Sequence, residues 1–104
     1  MTADVFAVIA EPTRRRILDR LRTADLSVGE LVEKLGVSQP AVSKHLRVLR
    51  EAGLVTSRIA AQQRIYGIRT VPLRALDAWL APYRDLWEHH LDQLEHHLDT
   101  VEGS

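Results

Sequence analysis

Apolar residues recur along the first half of the chain at helical spacing, interrupted by short polar stretches with prolines and glycines. Val5, Val8 and Ile9 come first, then Ile17, Leu18 and Leu21, a three-and-four repeat that marks one buried helix face. Pro12 fits the first turn of a helix, which predicts a main helix from Pro12 to Arg22 behind a short helix or arm. Ser27 precedes Glu30 by three residues, the pattern of a capping box. The helix it opens covers Val28–Leu35 and buries Val28, Leu31, Val32 and Leu35. Gly36 supplies a turn with positive φ. Ser38 is the next N-cap, with Pro40 in the first turn. Val42, Leu46 and Leu49 then form one apolar stripe, giving a helix over 38–50 with Gly53 as its C-cap. Two short helices joined by a glycine-containing turn predict a helix-turn-helix.

The pattern changes at Leu54. Leu54, Val55, Thr56 and Ile59, then Ile65, Tyr66 and Ile68, favour strands, and predict a hairpin, or wing, over 54–69 with strands near 54–59 and 64–69. Ala61-Gln62-Gln63 lies at its tip without an Asn-Gly or Asp-Gly signal. From residue 72, Leu73, Leu76, Leu80, Trp87, Leu91, Leu94 and Leu98 return to helical spacing. Pro82 interrupts them and predicts a helix over 72–81 followed by a second over 83–99. The fold class is therefore mainly α with a β-hairpin wing: a winged helix-turn-helix, in a single domain of 104 residues.

Composition narrows the function. The absence of cysteine removes disulfides, thiolate catalysis and Cys-ligated metal. No basic N-terminal stretch leads into a long apolar run, so neither export nor membrane spanning is predicted and the cytoplasm is expected. No nucleophile–base constellation or glycine-rich phosphate loop appears, so no enzyme and no cofactor are predicted. The formal net charge is zero, yet residues 1–74 hold 13 of the 14 basic and 7 of the 14 acidic residues, a net of +6, and residues 75–104 carry −6. A basic body with an acidic end suits a polyanion on one side only.

The polar face of the helix capped at Ser38 carries the candidate chemistry. Gln39, Ser43, Lys44, Arg47 and Arg50 fall largely away from the apolar stripe, and the first four offer donors and acceptors for base edges and phosphates. His45 sits to one side, placed either to reach a phosphate or to pack. Arg58 and Arg64 of the hairpin bring one or both guanidiniums near the minor groove or its phosphates. The run Arg14–Arg16 spreads around its helix, so all three cannot face one phosphate row.

The segments Glu11-Pro12-Thr13-Arg14-Arg15-Arg16-Ile17-Leu18, Asp25–Leu31 and Leu35–Val55, the last containing Ser38-Gln39-Pro40-Ala41-Val42-Ser43-Lys44-His45-Leu46, closely resemble the ArsR/SmtB family of bacterial winged-helix repressors. The resemblance covers nearly the whole chain. It implies a homodimer that binds an inverted-repeat operator in double-stranded DNA and represses transcription. Ser38, Gln39, Pro40, Ser43, Lys44, His45 and Arg47 would lie on or at the start of the recognition helix. The first and final helices are similar to those that pair in the family, which places Val8 with Leu80, Tyr83, Trp87, Leu91, Leu94 and Leu98 in a dimer interface.

The terminal helix independently points to a partner, because Trp79, Tyr83, Trp87 and the surrounding leucines exceed what one helix of a small domain buries alone. It also carries His89, His90, His96 and His97. Members of the family that sense metals use either cysteines near the recognition helix or an acidic and histidine set on paired terminal helices. The first is excluded, and the second departs from the pattern at Asp85-Leu86-Trp87, so no metal site is expected. A metal site across paired helices and a winged helix that binds only protein stand as alternatives. Neither the operator nor an effector can be read from the residues.

Overall fold

The structure, a computed structural model, describes residues 4–102, with side chains described through His96. His97 and Leu98 therefore lie outside the described side chains. The chain forms two compact units that meet between Arg74 and Ala75.

The first unit begins with a short helix, α1 (Val5–Ile9), followed by α2 (Pro12–Leu21). The Asp4 carboxylate caps α1 by accepting the Phe6 N–H at 3.1 Å. Glu11 caps α2 by accepting the Arg14 N–H at 2.9 Å. A two-residue strand, β1 (Leu26–Ser27), leads into α3 (Val28–Leu35). The capping box is complete: the Ser27 N–H donates to Glu30 Oε1 at 3.0 Å, and the Glu30 N–H donates to Ser27 Oγ at 3.2 Å. Leu31 and Leu35 are buried as expected, whereas Val28 and Val32 are half-buried at the core margin. Gly36 ends α3 with φ +67°, a conformation that costs a residue with a Cβ.

α4 (Gln39–Glu51) follows, with Ser38 Oγ accepting the Ala41 N–H at 3.3 Å and Pro40 in the first turn. Its stripe of Val42, Leu46 and Leu49 is at most 1% exposed. The helix closes with paired reverse hydrogen bonds. The Gly53 N–H, on a residue with φ +77°, donates to the Arg50 carbonyl at 3.0 Å, and the Leu54 N–H donates to the Leu49 carbonyl at 2.9 Å. This is a Schellman closure, completed by the buried pair Leu49 and Leu54. It turns the chain from α4 directly into the wing.

The wing consists of β2 (Val55–Ala60) and β3 (Gln63–Ile68), paired antiparallel from Val55↔Ile68 to Ala60↔Gln63. β1 joins the other edge of β3 through Leu26↔Tyr66 and Ser27↔Ile65, so the sheet order is β1-β3-β2. The third strand was not expected, because two residues are too few to show a period. It gives the hairpin the extra support that two strands lack. The tip is the two-residue loop Ala61-Gln62, with φ +50° and +66°. Positive φ at both positions suits the twist of a tight hairpin but is normally supplied by Asn or Gly.

Val8 corrects an expectation. At 2% exposure it belongs to the core with Ile17, Leu21, Leu31 and Leu46, so its side chain is already committed within its own protomer.

In the second unit, α5 (Leu73–Glu102) runs through Pro82 without the break expected there. Proline removes one N–H and leaves the Ala78 carbonyl without its helical donor. Ala78 and Pro82 are both exposed, so water can take the place of that donor. Trp79, Tyr83, Leu86, Trp87, Leu91 and Leu94 are each 45–56% exposed. The Trp79 and Tyr83 rings lie 4.8 Å apart, and Arg84 bridges to Asp77 at 2.6 Å. No helix among the described residues is long and apolar enough to cross a membrane.

Replacing Ala61-Gln62 by Asn-Gly relieves the left-handed strain at the wing tip and is expected to raise the stability by about 1–2 kcal/mol in urea unfolding. An unchanged or lower midpoint would contradict the tip geometry. A second expectation concerns pH. Hydrogen bonds from the Ser27 backbone N–H and then the Ser27 hydroxyl hold the Glu30 carboxyl below the ordinary carboxylate range. Its stabilising contribution is therefore complete above that range and is lost as pH falls through the lowered folded value. Urea midpoints taken from neutral to acidic pH should fall less steeply in Glu30→Gln than in the parent, and identical slopes would refute this role.

Candidate nucleic-acid interface

α4 divides into a buried stripe and an open polar face. With Val42, Leu46 and Leu49 fixed in the core, Gln39, Pro40, Ser43, Lys44, Arg47 and Arg50 are exposed. Ser38 stands at the start of this face, its hydroxyl engaged as the cap. Arg47 Nε lies 3.3 Å from Glu51 Oε1 one turn on, with both side chains well solvated. Exposed pairs of this kind contribute a few tenths of a kcal/mol, so a phosphate or guanine edge can displace Glu51 at little cost.

Of the two placements that spacing leaves open to His45, on a phosphate or in packing, the structure takes the second. The side chain is 18% exposed and turns from α4 toward α2. Nδ1 lies 3.3 Å from Arg14 Nε, which donates to it. Glu11 Oε2 lies 3.8 Å from the same atom. Arg14 also donates through Nη1 to the Val8 carbonyl at 3.2 Å. Partial burial pushes the Glu11 carboxyl up, but the Arg14 N–H, the neighbouring His45 and further donors outweigh it, leaving the group below the ordinary carboxylate range. His45 thus anchors α4 to the helices beneath it.

The two neighbouring arginines are also engaged in the protein's own fold. Arg15 donates to the carbonyls of Ile9 and Ala10 at the end of α1, at 2.7 and 3.1 Å. Arg16 donates to the Leu35 carbonyl at the end of α3, at 2.9 Å. Cations that cap helix C-termini complement the carbonyl ends and the helix dipole.

Strand register separates the two hairpin arginines, of which one or both were expected near the minor groove. Residues directly opposite in an antiparallel pair share a face. Ile59↔Arg64 and Ser57↔Tyr66 therefore put Arg64 beside Ser57, while Arg58↔Ile65 and Thr56↔Gly67 put Arg58 on the reverse side. There Arg58 Nη2 meets Asp25 Oδ2 at 3.6 Å. Gly67 leaves room for that carboxylate, since a Cβ on it would lie 3.0 Å from Asp25 Oδ1. Arg64 instead shares Ser57 with Arg50 of α4, a residue that spacing puts on the polar face but that was not among the expected DNA contacts.

Comparison with known proteins places this arrangement. Residues 11–57 match the model of the bacterial regulatory protein arsR family. The chain is 34% identical over 77 residues to the transcriptional repressor SdpR of Bacillus subtilis, covering 74% of this chain and 86% of that one. The chain belongs to the ArsR/SmtB family of winged helix-turn-helix regulators. Rv2034 of Mycobacterium tuberculosis, an HTH-type transcriptional regulator, is 48% identical over 68 residues, which span 65% of this chain and 64% of Rv2034. The solved structure of an ArsR-like transcriptional regulator from Rhodococcus sp. RHA1 superposes with a TM-score of 0.69 at 32% identity, covering 91% of this chain and 90% of that one. The chain is accordingly a DNA-binding regulator, not an enzyme.

The His89 and His90 rings are 6.3 Å apart, and among the described residues no group of three or more His, Cys, Asp or Glu side chains could hold a metal ion.

The contrast between adjacent residues of α4 is testable. Lys44→Gln should lower the slope of log affinity against log salt by about 1 per bound chain on any DNA sequence, as loss of a phosphate contact does. His45→Ala should instead lose about 1–2 kcal/mol of folding stability, the scale of a partly buried hydrogen bond left unmade, and keep the parental salt slope. A reduced slope in His45→Ala would restore that residue to the DNA face.

Proposed function

We propose that the protein is a homodimeric transcriptional repressor of the cytoplasm that binds an inverted-repeat operator, with α4 in the major groove and the wing alongside. The observation that carries this reading is the two-sided α4. Its apolar stripe is fixed in the core while Gln39, Ser43, Lys44 and Arg47 stand free of it. A helix held this rigidly can present the same donors and acceptors to base edges each time it docks. The repressor assignment is supported by the likeness to SdpR, itself named a transcriptional repressor.

Dimerisation is supported by α5. Six large apolar side chains, from Trp79 to Leu94, lie along it at 45–56% exposure, more than a soluble monomer usually leaves in water. Leu80, which is half-buried, continues the proposed interface at its margin, and Leu98, outside the described side chains, is proposed with it on the family resemblance alone. The net −6 of residues 75–104 suits a segment that meets a partner rather than a polyanion. A two-fold pair would present two α4 helices to successive half-sites, whose separation of about one helical turn follows from the geometry of the duplex.

Selection of bound genomic fragments by the purified protein tests the reading directly. The expected result is a family of fragments sharing an inverted repeat, while enrichment of no common sequence would sink it. Trp87→Glu should sediment as a monomer and bind the paired half-sites about 10²-fold more weakly, since the gain from linking two modules is lost. A Trp87→Glu protein that remains dimeric would remove α5 from the interface.

A further inference from the structure

The junction between α4 and the wing holds a cluster of positive charge that the fold does not explain. Arg50 Nη1 donates to Ser57 Oγ at 3.4 Å, and Arg64 Nη1 donates to the same oxygen at 3.2 Å. Arg50 comes from the last turn of α4, Ser57 from β2 and Arg64 from β3, so three elements converge on one hydroxyl. Arg69 lines the same groove with Gly53, Val55 and Thr56, and among the described residues no carboxylate lines it. Glu51, next to Arg50 in the chain, is held by Arg47. Asp25, the acid of the hairpin region, holds Arg58 on the opposite face.

A neutral hydroxyl offers lone pairs to two guanidiniums but cannot neutralise them. Three cations brought together by rigid elements, without a counter-charge, form an arrangement complete only when an anion enters. We propose that Arg50, Arg64, Arg69 and the Ser57 hydroxyl form a single oxyanion site that receives one backbone phosphate of bound DNA. The proposal rests on the DNA-binding reading and deepens it. The phosphate's non-bridging oxygens accept from the guanidinium forks, whose planar geometry suits them. Ser57, relieved of its two donors, turns its own proton to the phosphate. One phosphate then joins the end of the reading helix to the wing, so both are seated by the same contact.

The test measures affinity for a selected operator and for unrelated DNA over a range of KCl concentrations. The proteins compared are the parent, Arg50→Gln, Arg64→Gln, the double variant and Arg20→Gln as an exposed control. Circular dichroism and thermal melting confirm that each is folded. Each single variant is expected to lower the salt slope by about 1 per bound chain on both DNAs, and the double variant to lower it by about 1 rather than 2 per bound chain, because one phosphate is lost from each half-site. Arg20→Gln keeps the parental slope. Parental slopes in both single variants overturn the site while leaving DNA binding intact. A loss of about 2 per bound chain in the double variant overturns the shared phosphate in favour of two separate contacts. A parent that binds neither DNA removes the functional reading and the site together. Orthophosphate titrated into the free protein and followed by NMR separates the sources. Saturable binding that disappears in the double variant, with the DNA salt slopes unaltered, assigns the site to a free anion and overturns its assignment to DNA.

Discussion

Burial of one side of α4 governs the rest of the molecule. Val42, Leu46 and Leu49 are packed against α2 and α3 with almost no residual exposure, and a helix fixed along one edge has no freedom to rotate its other edge. The polar face is therefore oriented by the core and not by contacts of its own. The Schellman closure at Gly53 carries the same constraint forward. Because Leu54 returns to Leu49, the hairpin leaves α4 in a set direction, and the Arg69 N–H to the Leu54 carbonyl, at 2.8 Å, fastens its base. Core, recognition helix and wing form one connected mechanical unit.

The arginines divide according to what surrounds them. Arg14, Arg15 and Arg16 supply donors to carbonyls that helix ends leave without partners, so a run that looks like a polyanion site is spent inside the fold. Arg47 and Arg58 stand beside carboxylates. Arg50, Arg64 and Arg69 line a groove without one. Net basicity of the first 74 residues is thus a poor guide to the surface offered to DNA, since several of its charges are already engaged by helix-end carbonyls or by carboxylates.

What could be read from the residues follows the range of the interactions concerned. Ser27 with Glu30, Ser38 with Pro40, and the Val42–Leu46–Leu49 stripe act within a few residues, and they mark α3 and α4 to within one residue of their ends. The features that escaped depend on partners distant in sequence or on solvent. β1 exists because Leu26 and Ser27 meet Tyr66 and Ile65. The inward turn of His45 depends on Arg14, 31 residues earlier. The separation of Arg58 from Arg64 follows from strand register, which a tip lacking Asn or Gly leaves open to the eye. Pro82 was given its usual helix-breaking weight, but its exposed position lets the helix continue.

The link from the Val8 carbonyl through Arg14 to His45 has a consequence for which residues can change. α1 has five residues, too few to hold a helix by its own hydrogen bonds, and it depends on Arg14 and Arg15 as well as on the burial of Val8. The guanidinium that steadies it also braces the imidazole on α4. Sequence drift at the start of the chain is therefore not independent of drift in the recognition helix. A protein that altered His45 to read a different operator would have to find a new support for its first helix at the same time, so this position is a poor place for DNA specificity to evolve.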